Sequence, residues 1–116
     1  MSGYPGQIQQ GVKPSAKMGM KDDSGKLRWD LVEFESLDEL AGVLTYGAQK
    51  YEEDNWKKVD NPQQCYFSAL MRHVSAWKKG EVVDEDGYSH MAHVMANAMF
   101  LMYFEEEERK KEKERE

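Results

Sequence analysis

Two of the chain's three histidines lie three residues apart, close behind a cluster of acidic residues. His90 and His93 follow Asp84, and Asn97 comes four residues after His93. On a helix that turns about 100° per residue, the two histidines and Asn97 fall within a stripe roughly 60° wide. Imidazoles ligate transition metals, contact phosphates and orient water. They also serve as core residues that hydrogen-bond to the backbone. The stripe therefore predicts either a polar site, to which Asp84 can contribute, or a buried polar pair.

A second acidic group lies in the first half of the chain. Glu35, Asp38 and Glu39 are spaced three and four residues apart, which places them on neighbouring positions of one helix face. Like charges held this close repel each other, and a divalent cation such as Mg²⁺ removes the repulsion because hard cations take several oxygen ligands. The simpler interpretation is an exposed acidic helix start, which suits the helix dipole. The spacing alone leaves both interpretations open.

Basic and aromatic residues provide candidate contacts to a nucleotide. The basic candidates are Lys26, Arg28, Lys50 and Arg72. Their charge can offset phosphate charge. Trp56, which follows Asn55, can stack on a base, as can Trp29. Lys50 also has a plainer explanation, because a cation at a helix C-terminus is stabilised by the helix dipole.

Three helical patterns position these residues. The first spans about residues 33–51, the second about 62–79, and the third begins near residue 88 and is apolar through residue 104. The second pattern begins at Asp60-Asn61-Pro62 and ends at Gly80. Its predicted buried face consists of Phe67, Leu70, Met71, Val74 and Trp77. We expect an all-α fold, a small bundle of three helices over residues 21–104, with a flexible arm at 1–20 and a charged helical tail at 105–116.

Length and charge restrict the classes of protein. The chain has 116 residues, a net charge of −6 and one cysteine, Cys65. The negative charge argues against a nucleic-acid partner, and the single cysteine excludes an intramolecular disulfide. We expect a protein of the cytoplasm without a membrane partner, since no apolar run approaches the length of a bilayer span. A core built from about 80 residues is marginal alone, so we expect homo-oligomerisation.

The order of these residues resembles a known family. The matching residues are Lys21-x-Asp23-x-Gly25-Lys26-x-Arg28, Phe34-Glu35-Ser36-Leu37-x-Glu39-Leu40-Ala41, Tyr46-Gly47-Ala48-x-Lys50-Tyr51, Asn55-Trp56, Ala69-Leu70-Met71-Arg72-His73, Gly80-Glu81, Asp84 and His90-Met91-Ala92-His93. Together they are similar to the phage dATP/dGTP diphosphohydrolase domain, a member of the MazG-like all-α nucleotide pyrophosphohydrolases. The resemblance covers about residues 21–104.

The resemblance implies hydrolysis of a purine deoxynucleoside triphosphate to the monophosphate and pyrophosphate, with Mg²⁺ or Mn²⁺, by a homodimer or homotetramer in a host cytoplasm. Glu35, Asp38 and Glu39 match an acidic motif that holds the metal. Glu39 and Glu35 are expected to be catalytic, with Glu39 taking the proton of the attacking water. His90-x-x-His93 stands where the wider group has carboxylates, which favours Mn²⁺ because imidazole suits the softer metal. On this interpretation His90 and His93 complete the metal shell or orient the phosphates. Substrate contacts are expected from Lys26, Arg28, Lys50, Asn55, Trp56, Arg72, Asp84 and Asn97.

Two other functions compete with this one. The first is a protein that sequesters a nucleotide or cyclic nucleotide without cleaving it. The presence of His90 and His93 where the MazG-like group has a second pair of carboxylates favours this function. The second is a structural helical oligomer without a ligand, in which the acidic helix and the histidines are only surface and core.

Overall fold

The computed structural model describes residues 19–22 and 24–115. The described residues contain three α-helices: α1 (Phe34–Lys50), α2 (Pro62–Lys78) and α3 (His90–Arg115). Short 3₁₀-helices occupy Trp29–Leu31 and Asn55–Lys58. The expected all-α fold is confirmed. Apart from Gly19 and Met20, the predicted flexible arm lies outside the described residues.

The chain divides into two compact units, Met1–Glu33 and Phe34–Glu116. All three α-helices belong to the second unit. None of the α-helices in the described part of the chain has the combination of length and apolar character that a membrane span requires.

The ends of α2 follow the local chemistry of the sequence. Pro62 occupies the first turn, where its missing N–H costs no hydrogen bond, and Asn61 precedes it with a φ of 49°. Gly80 ends the helical segment with a φ of +101°, a conformation that residues with a side chain rarely adopt. Its N–H donates to the carbonyl oxygen of Trp77. The predicted start and stop of this helix are therefore confirmed to within one residue.

Helix α3 is the centre of the second unit, and both α1 and α2 pack against it. The buried residues of the described chain all lie on α3: His90, Ala92, Ala96 and Asn97. The two alanines have small side chains, which allow the neighbouring helices to approach closely. Beyond residue 104, α3 continues as a mainly exposed charged helix, with ion pairs such as Arg109–Glu106 one turn apart.

The predicted buried face of α2 is wrong for three of its five residues. Phe67, Met71 and Trp77 are 56%, 46% and 48% exposed in the single chain, whereas Leu70 and Val74 are half-buried. Helix α2 carries two apolar stripes, and periodicity does not tell which of them meets the neighbouring helix. The stripe that includes Tyr66 and Leu70 is the more buried one, which leaves the other on the surface.

Candidate functional site

The loop between α2 and α3 forms a tight turn that brings acidic residues to the start of α3. An isolated antiparallel bridge joins Val83 to Ser89, and the Asp84 N–H donates to the Tyr88 carbonyl oxygen at 2.8 Å. Gly87 allows the reversal with a φ of +87°. The Ser89 hydroxyl accepts a hydrogen bond from the Ala92 N–H and so caps α3. These bonds fix the loop relative to His90, the first residue of the helix.

All three histidines of the chain meet at this point. Nδ1 of His73, from α2, lies 2.9 Å from Nδ1 of His90. The rings of His73 and His93 are stacked, with centroids 4.4 Å apart and planes inclined by 6°. The two histidines that the sequence brings together on α3 are thus joined by a third from another helix.

Carboxylates of the loop surround this histidine cluster. An ionised carboxylate only accepts hydrogen bonds, so His93 Nε2 donates to Asp86 Oδ2 at 2.8 Å and His90 Nε2 donates to Glu81 Oε1 at 3.1 Å. Asp84 Oδ2 lies 3.7 Å from His93 Nε2. The other oxygen of Asp86 accepts the Tyr88 N–H, which is the turn role expected of this residue.

Two groups of side chains in the described chain place ligand atoms within 4.8 Å of one another, as a metal site requires. One consists of His73, Asp84 and His93, and the other of Glu81, Asp84 and His90. Asp84 belongs to both groups. The in-plane lone pairs of two parallel rings do not converge on one point, so one of the stacked rings of His73 and His93 would have to turn before both could hold the same ion.

The environment of His73 favours its neutral form. Burial lowers the pKa of this imidazole below its ordinary value, and the neighbouring His93 lowers the pKa further, while Asp84 opposes both effects. A neutral imidazole has one nitrogen lone pair, which is the form that ligates a metal or accepts a proton. His73 is therefore kept in the form that suits a ligand or a base.

A pocket of about 770 Å³ adjoins the histidine cluster. Asp84, Asp86 and His93 line it, together with residues of the second half of α1 and of the Asn55–Lys58 helix. The acidic residues that line it are Glu52, Glu53, Asp54, Asp84 and Asp86, and Lys50 is the one lysine or arginine among the lining residues. An anionic ligand would be repelled by this excess of carboxylates unless a cation accompanies it.

Aromatic side chains form part of the apolar lining of the pocket, beside aliphatic ones. The indole of Trp56 stacks on Phe100, with centroids 4.5 Å apart, and its backbone carbonyl accepts the Tyr66 hydroxyl at 2.8 Å. Trp56 is therefore fixed in an aromatic cluster. Tyr51 also lines the pocket but is 64% exposed, and Lys50 Nζ lies 5.4 Å from the centre of its ring. Tyr51 is thus the more accessible surface for a planar ligand.

The acidic group of α1 lies outside the histidine cluster. Glu35, Asp38 and Glu39 are exposed. They belong to neither of the two potential metal groups in the described chain, and they do not line the pocket. Their assignment as metal ligands stays a prediction, while His90 and His93, which were predicted together with them, occur in one potential metal group each.

The residues predicted to bind substrate fall into three sets. Lys50, Asn55, Trp56 and Asp84 line the pocket. Arg72 is exposed and does not line it. Lys26 and Arg28 belong to the separate unit Met1–Glu33, where Arg28 makes a bidentate pair with Asp30.

Asn97 has a role in its own helix. The side chain is 6% exposed, and its amide nitrogen donates to the His93 carbonyl oxygen at 2.8 Å. This bond supports the backbone that carries His93, and it leaves the amide oxygen and the second amide hydrogen for the predicted substrate contact.

Sequence reasoning did not select His73 or Glu81 as site residues. His73 follows Tyr66 and Leu70 at helical spacing, on the more buried face of α2, and a polar residue on that face was the available signal. Glu81 carries no such signal, since its contact with His90 depends on how the loop folds.

Comparison with known proteins agrees with the resemblance. The family model of the dATP/dGTP diphosphohydrolase N-terminal domain matches residues 16–115. A dATP/dGTP diphosphohydrolase of Salmonella phage PMBT28 is 34% identical over 86 residues, which are 73% of this chain and 29% of that protein. The chain thus spans less than a third of the length of this curated relative, and no solved structure matches it. The family match covers most of the chain, which therefore belongs to the dATP/dGTP diphosphohydrolase N-terminal domain family.

Proposed function

We propose that this chain is a catalytic domain that hydrolyses a purine deoxynucleoside triphosphate, dGTP or dATP, to the monophosphate and pyrophosphate. The observation that carries the proposal is the His73–Asp84–His93 group at the wall of a large pocket with aromatic and acidic lining. The name of the phage relative supports the substrate class.

The donor set of this group fits a divalent cation. Two imidazole nitrogens and a carboxylate oxygen suit Mn²⁺ better than Mg²⁺, which prefers an all-oxygen shell. His73, Asp84 and His93 would hold the ion, and Glu81 and His90 would adjoin it. Bound there, a cation neutralises phosphate charge and lowers the pKa of a water ligand. The acidic lining of the pocket supports this requirement, because a triphosphate alone would be repelled.

The protein's own residues account for the rest of substrate binding. Lys50 supplies positive charge for the phosphates, and the ring of Tyr51 beside it offers a face for the base. In the reaction, water attacks the α-phosphorus and the bond from phosphorus to the α–β bridging oxygen breaks, so that pyrophosphate leaves with the electron pair. Glu39 was expected to take the proton of this water, but it does not line the pocket, so its role is tested separately below.

We also propose that two or more copies of the chain associate. The exposed apolar residues of α2 and α3 support this: Phe67, Met71, Trp77, Met91, Met95 and Met102. Large apolar side chains that are exposed on neighbouring helices are typical of a surface that another subunit covers.

The activity is tested by incubating the protein with each of the four deoxynucleoside triphosphates and Mn²⁺ or Mg²⁺, and separating the products by ion exchange. The proposal expects dGMP or dAMP together with pyrophosphate. A rise in melting temperature with nucleotide but without product would favour the sequestering protein instead. No response to any nucleotide or metal would leave the structural oligomer.

A further inference from the structure

Glu81, His90 and His73 form a continuous line of hydrogen bonds that leads from the loop surface to the potential metal group. Glu81 Oε1 lies 3.1 Å from His90 Nε2, and His90 Nδ1 lies 2.9 Å from His73 Nδ1. The side chain of His90 is 4% exposed, whereas that of Glu81 is 60% exposed. The carboxylate thus anchors a buried imidazole from outside.

The positions of the protons along this line follow from the chemistry of the groups. A carboxylate accepts but does not donate, so His90 Nε2 carries a hydrogen. In the neutral form of His90 this hydrogen is the only N–H of the ring, so Nδ1 is an acceptor. The partner of that acceptor, His73 Nδ1, must then carry the hydrogen of the second ring. The lone pair of His73 is left on Nε2.

We infer that Glu81 and His90 are positioning residues, which fix neutral His73 with its proton on Nδ1 and its lone pair on Nε2. Metal-binding histidines commonly donate their other N–H to a carboxylate or carbonyl, which orients the ring and increases its basicity. Here an imidazole stands between the carboxylate and the ligand. His73 Nδ1 donates to His90, so Nε2 is the nitrogen left with a lone pair for the group that His73 forms with Asp84 and His93.

His93 is fixed in a different way. Its Nε2–H donates to Asp86, so its lone pair is on Nδ1. The line of bonds therefore predicts that His73 alone, of the three histidines, carries its proton on Nδ1. The use of the Nε2 lone pair as a metal ligand rests on the proposed function, whereas the proton positions do not.

The proton positions are measured by long-range ¹H–¹⁵N NMR of the ¹⁵N-histidine-labelled protein after treatment with EDTA. The pH is 8.5, at which imidazoles are ordinarily neutral. Only three rings contribute signals, and single His→Gln variants assign them. The expected spectrum shows the Nδ1–H form for His73 and the Nε2–H form for His90 and His93. An Nε2–H pattern for His73 in the wild-type protein overturns the inference, because His90 then donates in the opposite direction.

Variants of Glu81 test the anchor. In Glu81→Ala nothing holds the His90 hydrogen on Nε2, so the His73 signals shift toward a mixture of the two forms. Glu81→Gln retains a side-chain oxygen as acceptor and keeps the wild-type pattern. Glu85→Ala removes an exposed acid of the same loop and is the matched control for charge. A His73 pattern in Glu81→Ala equal to that of Glu85→Ala overturns the role of Glu81.

Titration with Mn²⁺ alone, followed by calorimetry, tests the consequence. Loss of a residue that orients a metal ligand through a hydrogen bond typically weakens metal binding by about 10- to 100-fold. We expect a loss in this range for Glu81→Ala, little loss for Glu81→Gln, which keeps the acceptor for His90 Nε2, and none for Glu85→Ala. Equal Mn²⁺ affinity in both variants contradicts the link from Glu81 to the metal group. A wild-type protein with the expected tautomers but no pyrophosphate release refutes the proposed function and supports the inference, so the two failures are distinguishable.

Discussion

Replacement of Gly42 by alanine tests how the loop that carries the acidic residues is held against α1. A methyl group at Gly42 would lie 2.5 Å from Cε1 of Tyr88, 3.1 Å from Cζ and 3.2 Å from the hydroxyl oxygen. The first distance is well inside van der Waals contact, so the ring must move. Tyr88 directly follows the turn that contains Asp84 and Asp86, and its N–H donates to Asp86. A displaced Tyr88 therefore shifts the wall of the pocket.

Two opposing effects determine the magnitude. Alanine in a helix interior is favoured over glycine by about 1 kcal/mol. Overpacking in a filled site costs about 1–3 kcal/mol. We expect Gly42→Ala to be destabilising by about 0–2 kcal/mol in the free energy of unfolding. Gly47 lies in the same helix with nothing within 4 Å of an added methyl, so Gly47→Ala should be stabilising by up to about 1 kcal/mol.

Urea denaturation of the two variants measures the difference, which should be about 1–3 kcal/mol. A double-mutant cycle with Tyr88→Ala isolates the contact, because the cost of Gly42→Ala should disappear when the ring is absent. Equal stabilities of Gly42→Ala and Gly47→Ala would refute the close approach of Tyr88 to α1. A cost of Gly42→Ala that persists in the Tyr88→Ala background would do the same.

Four further predictions concern the site and the surface. If the α1 carboxylates act as the resemblance implies, Glu39→Gln should no longer hydrolyse dGTP, while its circular dichroism spectrum stays unchanged. Near-normal turnover would show that Glu39 is not needed and would favour catalysis at the histidine cluster. The pKa of His73 is lower in the folded than in the unfolded protein, so the unfolded state takes up the proton first, and the free energy of unfolding should fall as the pH drops below about 6.5 in EDTA. Urea denaturation at pH 7.5 and 5.5 should show a smaller fall in His73→Gln than in the wild-type protein. An equal fall in both would contradict the lowered pKa of His73. Tyr51→Ala should raise the KM for dGTP about tenfold or more through lost stacking, and an unchanged KM would exclude Tyr51 from the base site. Phe67→Glu should shift the protein toward monomer in sedimentation velocity, and an unchanged oligomer would place the interface elsewhere.

The helices were predictable because their ends are marked by local chemistry. Pro62 and Gly80 mark backbone conformations that begin and end a helix, so the limits of α2 can be predicted from the sequence. Which of the two apolar stripes of α2 becomes buried depends on how the helices pack against each other, and the sequence pattern does not show this. For this reason the expected burial of Phe67 and Met71 is wrong in the single chain.

The candidate site was only partly predictable for a similar reason. His90 and His93 share one helix, so their spacing brings them together without knowledge of the fold. His73 reaches them from α2 and Glu81 from a loop, and such contacts depend on how α2 docks on α3. The role of Glu35 and Glu39, in contrast, comes from the resemblance, and their exposed positions in the single chain do not test it.

The most direct test of the proposed catalytic site is the rate of pyrophosphate release from dGTP with Mn²⁺ in Asp84→Asn and in Glu85→Gln. Asp84 belongs to both potential metal groups and lines the pocket, whereas Glu85 is an exposed neighbour that belongs to neither group. We predict that Asp84→Asn lowers turnover by about 100-fold or more, as expected for lost stabilisation of transition-state charge, while Glu85→Gln retains the wild-type rate. Wild-type turnover in Asp84→Asn would contradict a catalytic role of the histidine–carboxylate cluster.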